Sequence, residues 1–66
     1  VGGVALQLLR REQARLAETI ASEGERLKEA HPRMVELRAE LATVEGKIRE
    51  AVKGTLTALA TDLRAA

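Results

Sequence analysis

The 66-residue sequence contains no phenylalanine, tryptophan, tyrosine or cysteine, and it has a single proline. Aromatic side chains supply the largest burial per residue, so a compact globule built without any of them is not expected. The lack of cysteine excludes disulfides and thiolate chemistry. No apolar run approaches the roughly 20 residues needed to span a bilayer, and no signal peptide is visible. Because the chain starts with valine rather than methionine, we expect it to be a segment of a larger protein.

The apolar content is mostly alanine and leucine, and these residues, like glutamate, arginine and lysine, are strong helix formers with little preference for strands. This composition, with 32% charged residues, is typical of a long helix or a coiled coil. Eleven Lys and Arg are interspersed with ten Asp and Glu, which leaves a net charge of +1 and no basic field to attract nucleic acid or anionic lipid. We therefore expect no nucleic-acid binding and no direct membrane contact by this segment.

Pro32 divides the chain nearly in half. Proline disfavours helical geometry in the preceding residue but is well tolerated at the first position of a helix. The sequence therefore predicts a helix over about residues 4–29, a turn over about residues 28–33 that contains His31 and Pro32, and a helix over about residues 32–64. Two amphipathic helices with a short connection pack antiparallel. The predicted fold is all-α, an antiparallel two-helix coiled-coil hairpin, which we expect to associate into a helical bundle.

Apolar residues recur three or four positions apart in both halves, as on one face of a helix. We predict that these residues form the packing surface and the interface with other helices: Leu9, Leu16, Ile20, Leu27, Met34, Leu37, Leu41, Val44, Ile48, Val52, Leu56, Leu59 and Leu63. Between Val44 and Leu56 three consecutive steps are four residues long, a phase shift that locally unwinds a left-handed supercoil. Because the apolar surface is wider than one seam, the predicted partners are further copies of the chain and other helices of the parent protein.

Residues suited to catalysis or metal binding are few and scattered. His31 is the only histidine and lacks partner ligands at matched spacing, so we interpret it as a turn residue that caps a helix. Ser22 and His31 are the only possible nucleophile–base pair, and no third group orients them. Glu36 and Glu40 share a helix face, which we interpret as solvated. We therefore predict that the chain is not an enzyme and that it has no catalytic, cofactor-binding or metal-binding residues and no cofactor.

Residues 25–41 combine a His-Pro turn, a basic residue, two apolar residues and a helix with the pattern Leu-x-x-x-Leu. The residues that carry this pattern are His31, Pro32, Arg33, Met34, Val35, Leu37 and Leu41. The stretch resembles the coiled-coil segment of the bacterial polysaccharide co-polymerases, the family of chain-length determinants and exopolysaccharide transport proteins. It departs from the family before His-Pro, where members often have an aromatic-glycine-proline turn and this chain has residues 27–30, Leu-Lys-Glu-Ala.

The resemblance implies a parent protein anchored in the inner membrane by two transmembrane helices outside this segment, with the hairpin on the periplasmic side. Such proteins oligomerise and govern the chain length or export of a surface polysaccharide, without forming glycosidic bonds themselves. The chain would then be a structural oligomerisation segment. Two alternatives remain open: the hairpin of a periplasmic adaptor protein in secretion or efflux, which would interrupt a β domain, and a generic helical interaction module.

Overall fold

The structure, a computed structural model, describes residues 2–65, which form two helices and the connection between them. Helix α1 spans Gly2–Gly24 and helix α2 spans Pro32–Ala65, and no strand occurs within these residues. The two helices pack side by side in a rod that measures 55 × 18 × 11 Å. The chain is therefore an all-α helical hairpin, as predicted.

Two contacts between the helices define their antiparallel register. Gln13 Nε2 donates a hydrogen bond to Glu45 Oε2 at 3.5 Å. Gly24 faces Met34, because a Cβ atom on Gly24 would lie 3.7 Å from Met34 Cε. In both pairs the residue numbers add up to 58, so Gly2 lies level with residue 56 of α2. Residues 57–65, about 13 Å of helix, consequently extend past the start of α1. We call residues 57–65 the overhang.

The core of the hairpin is small and entirely aliphatic. Its buried residues are Leu16, Met34, Leu37 and Val44. Partly buried side chains pack against this cluster: Leu9, Ile20, Leu27, Leu41 and Ile48. No polar or charged side chain is buried in the part of the chain that the structure describes. Removal of apolar surface from water therefore supplies most of the attraction between the two helices.

Helix α1 begins two residues earlier than predicted and ends five residues earlier, at Gly24 rather than about residue 29. The connection covers residues 25–31 rather than about 28–33. The backbone N–H groups of Arg26 and Leu27 both donate to the Glu23 carbonyl, at 3.0 and 2.7 Å, which tightens the last turn. Leu27 then leaves the helix and packs against the core. Residues 25–30 favour a helix by composition, and this packing overrides their propensity.

Helix α2 begins at Pro32, as predicted, and His31 caps it. The Arg33 N–H donates to His31 Nδ1 at 3.0 Å, while the Met34 and Val35 N–H groups donate to the His31 carbonyl at 2.9 and 3.0 Å. His31 thereby satisfies the N–H groups of Arg33 and Met34, which come too early in α2 for a regular helical partner, and the bond from Val35 is the first regular one. Pro32 occupies the first helical position, where a missing N–H costs nothing.

Leu16→Ala should lower the free energy of unfolding by about 2–5 kcal/mol, because Leu16 is only 1% exposed and its loss leaves a cavity in the core. Urea unfolding followed by circular dichroism at 222 nm measures this change. Leu8→Ala is the matched control: Leu8 is 58% exposed on the same helix, and its substitution should cost much less. Equal losses in the two variants would contradict the core described here.

His31→Ala should destabilise the hairpin by about 1 kcal/mol, because the Arg33 N–H loses its side-chain acceptor. His31→Asn should recover most of this loss, since an asparagine side-chain oxygen accepts the same kind of bond. Thermal unfolding of the two variants beside the natural chain provides the comparison. If His31→Asn is as unstable as His31→Ala, the capping role of the imidazole is wrong.

Candidate interaction surface

The thirteen residues predicted from the apolar pattern fall into two groups. Nine lie in the core or pack against it: Leu9, Leu16, Ile20, Leu27, Met34, Leu37, Leu41, Val44 and Ile48. The other four lie on the surface of α2, where Val52, Leu56, Leu59 and Leu63 are 36%, 60%, 54% and 70% exposed. We call these four residues the outer stripe. Two of its residues, Leu59 and Leu63, lie in the overhang. The outer stripe is the largest run of exposed aliphatic side chains on α2.

The spacing of the apolar residues changes where the outer stripe begins. Each step of four residues advances by about 40° beyond a full helical turn, so Val52 and Leu56 lie about 80° and 120° around α2 from Val44, and the next step, of three residues, turns back by about 60°. Ala51, seven residues after Val44, stays partly buried, whereas Val52 is exposed. Helix α2 therefore packs its large apolar residues against α1 up to Ile48 and leaves the outer stripe exposed.

Open grooves border the outer stripe on both sides. One runs along Val52 and Leu56 and carries the basic residues Arg49, Lys53 and Arg64 at its rim. The other lies between the start of α1 and the last turns of α2, and it is lined mainly by small residues: Gly3, Ala5, Ala51, Gly54, Thr55 and Ala58. The stripe is thus an apolar ridge between two shallow depressions, a shape that fits ridges-into-grooves packing with another helix.

Charged side chains form ion pairs on the outer surface of α1. The Arg15 guanidinium binds the Glu12 carboxylate, with Nε 3.1 Å from Oε2. At the end of α1, Glu23 Oε2 lies 2.6 Å from Nη2 of Arg26 in the connection. The hydrogen bond from Arg15 holds the pKa of Glu12 below its ordinary value, and Glu12 raises the pKa of Arg15. Both residues of the Glu12–Arg15 pair are solvated, and such pairs contribute little to stability. Their role is to keep this face of the hairpin in water.

The residues considered for chemistry lie apart from the outer stripe. His31 sits in the connection, where its imidazole caps α2, and Ser22 is exposed in the last turns of α1. Glu36 and Glu40 are exposed on α2. Among the described residues, no three His, Cys, Asp or Glu side chains come close enough together to hold a metal ion. Neither helix, over the residues described, is long and apolar enough to cross a membrane.

Compared with known proteins, the chain matches no protein-family model, no curated protein and no solved structure. The resemblance around His31 and Pro32 therefore stays an expectation.

Gly54→Ala should raise the free energy of unfolding by about 1 kcal/mol, because alanine is favoured over glycine in a helix interior by about that amount. An added Cβ atom would meet nothing within 4 Å, and Gly54 has no positive φ. Urea unfolding at low protein concentration measures the gain. Gly24→Ala, at the end of α1 and in contact with Met34, should give a smaller one. A loss of stability in Gly54→Ala would show that another helix packs closely at this position.

Proposed function

We propose that the hairpin serves as an assembly element, a helical rod through which its parent protein packs against further helices. The rod is 55 Å long, and an aliphatic core holds its two helices together. Helix α2 carries the outer stripe of four exposed aliphatic residues. Homo-oligomerisation and packing against other helices of the parent both use a surface of this kind.

The observation that supports this proposal is the balance between buried and exposed aliphatic side chains. Four are buried, whereas seven large ones remain at least 36% exposed: Val4, Leu8, Val35, Val52, Leu56, Leu59 and Leu63. Four of the seven form the outer stripe, and contiguous apolar patches on a surface mark interaction sites. A chain of this size buries little surface on its own, so assembly would add the burial that the small core lacks.

For the parent we propose a polysaccharide co-polymerase, in which the hairpin lies on the periplasmic side and holds subunits together while a surface polysaccharide is lengthened or exported. The His-Pro pattern supports this proposal. His31 and Pro32 form the cap and the first residue of α2, and Leu37 and Leu41, which follow them in the pattern, pack in the core. In this role the hairpin positions other subunits and makes no bond in the polymer.

The parent protein in its own cells provides the test. Removal of the hairpin, or Leu56→Glu within it, should shift the length distribution or the amount of surface polysaccharide, as seen by gel electrophoresis. Ala42→Glu, at an exposed position of α2 outside the His-Pro pattern and the outer stripe, is the control and should leave the polymer unchanged. Unaltered polysaccharide in both altered proteins would reject this parent. A biotin-carrier-like β domain on both flanks of the hairpin would favour the periplasmic adaptor instead.

We expect the isolated chain to form a dimer or a larger oligomer at micromolar concentrations, since one hairpin leaves too much apolar surface in water. Replacing both Leu41 and Ile48 by Asp should abolish association and helicity together, because both side chains pack against the core. Sedimentation equilibrium and circular dichroism measure the two effects. Ala42→Asp, at an exposed position of the same helix, should change neither. A folded monomer of the natural chain at every concentration would contradict the proposal.

A further inference from the structure

We propose that the connection is a hinge between two folded states and that Pro32 keeps the chain in one of them. The closed state is the hairpin of the structure. In the open state, α1, the connection and α2 form one continuous helix, and two such helices pack antiparallel, so that α1 of each copy contacts α2 of the other. The open state uses the core and the connection, and it requires nothing of the outer stripe or of the assembly function proposed above.

The core residues of both helices and of the connection share one unbroken heptad pattern. Steps of seven residues relate the members of each of two sets, Ile20, Leu27, Met34, Leu41 and Ile48 in the first, and Leu9, Leu16, Leu37 and Val44 in the second. Together the two sets contain every residue of the core cluster and every side chain packed against it. Two helices that fold back on each other need not keep the same heptad phase across the segment that joins them. A single continuous coiled-coil helix does keep it.

The contacts of the hairpin can form in the same way between two copies. In an antiparallel coiled coil the two heptad sets face each other across the seam. In the open state Leu9 of one copy then faces Ile48 of the other, and Leu16 faces Leu41, pairs whose numbers add up to 57. The register of the hairpin, in which the numbers add up to 58, differs by one residue. The open dimer therefore buries the same side chains in nearly the same register, with a two-fold axis between residues 28 and 29.

The connection itself suits a continuous helix. Leu27 is partly buried, and the other residues from 25 to 31 are exposed in the hairpin. In the open state Leu27 of each copy faces Ala30 of the other on either side of the two-fold axis, because both residues follow the heptad pattern. Residues 25–30 favour a helix by composition, so their own propensity selects the open state.

Pro32 opposes the open state. A helix through position 32 would leave the Lys28 carbonyl without an N–H donor and press the proline ring against it. In the hairpin that carbonyl accepts from the His31 N–H at 2.9 Å, and Pro32 lies at the first position of α2, where proline is tolerated. Charge acts in the same direction, because Arg26 of one copy would lie beside Arg33 of the other in the open dimer. The natural chain therefore stays closed.

Distances within one chain test the hinge. Ala14→Cys and Ala42→Cys provide two exposed positions for spin labels, and the natural chain has no cysteine. In the hairpin these positions lie at nearly the same level of a rod with a cross-section of 18 × 11 Å, whereas in one continuous helix they lie about 42 Å apart along the axis. Labelled chains are diluted into unlabelled chains of the same variant, so that double electron–electron resonance measures only distances within a chain.

Pro32→Ala should raise the share of chains with the long distance by about tenfold or more, because it removes the penalty from both helices of the dimer. Pro32 is exposed, so its replacement alters no core contact. The share should grow with protein concentration, since the open state needs a second copy. His31→Ala removes the cap but keeps the proline, and it should retain the short distance.

Three results would overturn the hinge or the role of Pro32. The first is the short distance alone in Pro32→Ala up to about 1 mM, the effective concentration that a short connection provides. The second is a loss of helicity in Pro32→Ala, measured by circular dichroism. The third is equal opening of His31→Ala, which would mean that the cap and not the proline keeps the chain closed.

A further substitution tests the register of the open dimer. Ala30 is exposed in the hairpin but faces Leu27 of the other copy in the open state. In the Pro32→Ala chain, Ala30→Leu should lower the Kd of the open dimer by about tenfold or more, because it enlarges both layers beside the axis. Ala39→Leu, at another exposed position, should change this Kd by less than about threefold. Equal effects of the two substitutions would overturn the register.

Discussion

The hairpin depends on the packing of Leu16 in one aliphatic cluster with Met34, Leu37 and Val44 of α2. Among the residues of α1 whose burial the structure describes, Leu16 alone is buried, so a single side chain near the middle of the helix anchors α1 to its partner. The remaining contacts of α1 are partly exposed, and the inter-helix hydrogen bond from Gln13 is long, at 3.5 Å. Because the helices share no other buried group among the described residues, their register and the connection both follow from where this cluster forms.

The cluster also makes the two ends of the hairpin unlike each other. Near the connection, Leu27 packs inward, His31 caps α2 and Met34 lies against Gly24. At the opposite end the facing residues are small, and the large apolar residues of α2 are exposed. Burial of the apolar side chains therefore falls along the rod from the connection toward the overhang. The same gradient leaves the outer stripe in contact with solvent.

Much of the fold could be predicted from the sequence. Because proline is tolerated at the first position of a helix, Pro32 predicted the beginning of α2. The spacing of apolar residues, three or four positions apart, predicted the apolar face of each helix. The end of α1 could not be predicted from composition, because residues 25–30 are good helix formers. The division of the apolar positions into core and outer stripe depends on the register, which follows from where the buried cluster forms and which spacing alone does not reveal.

The gradient in packing has a mechanical consequence. The start of α1 and the last turns of α2 lie at the same end of the rod, so a tensile load applied across them acts on the loosest contacts first. Under such a load the helices would peel apart turn by turn, and each contact would yield separately instead of sharing the force. Separation of the helices would halt at the cluster around Leu16, because several buried side chains must leave one another there at the same time. The two helices should therefore separate at low force near the overhang and resist separation between the Leu16 cluster and the connection.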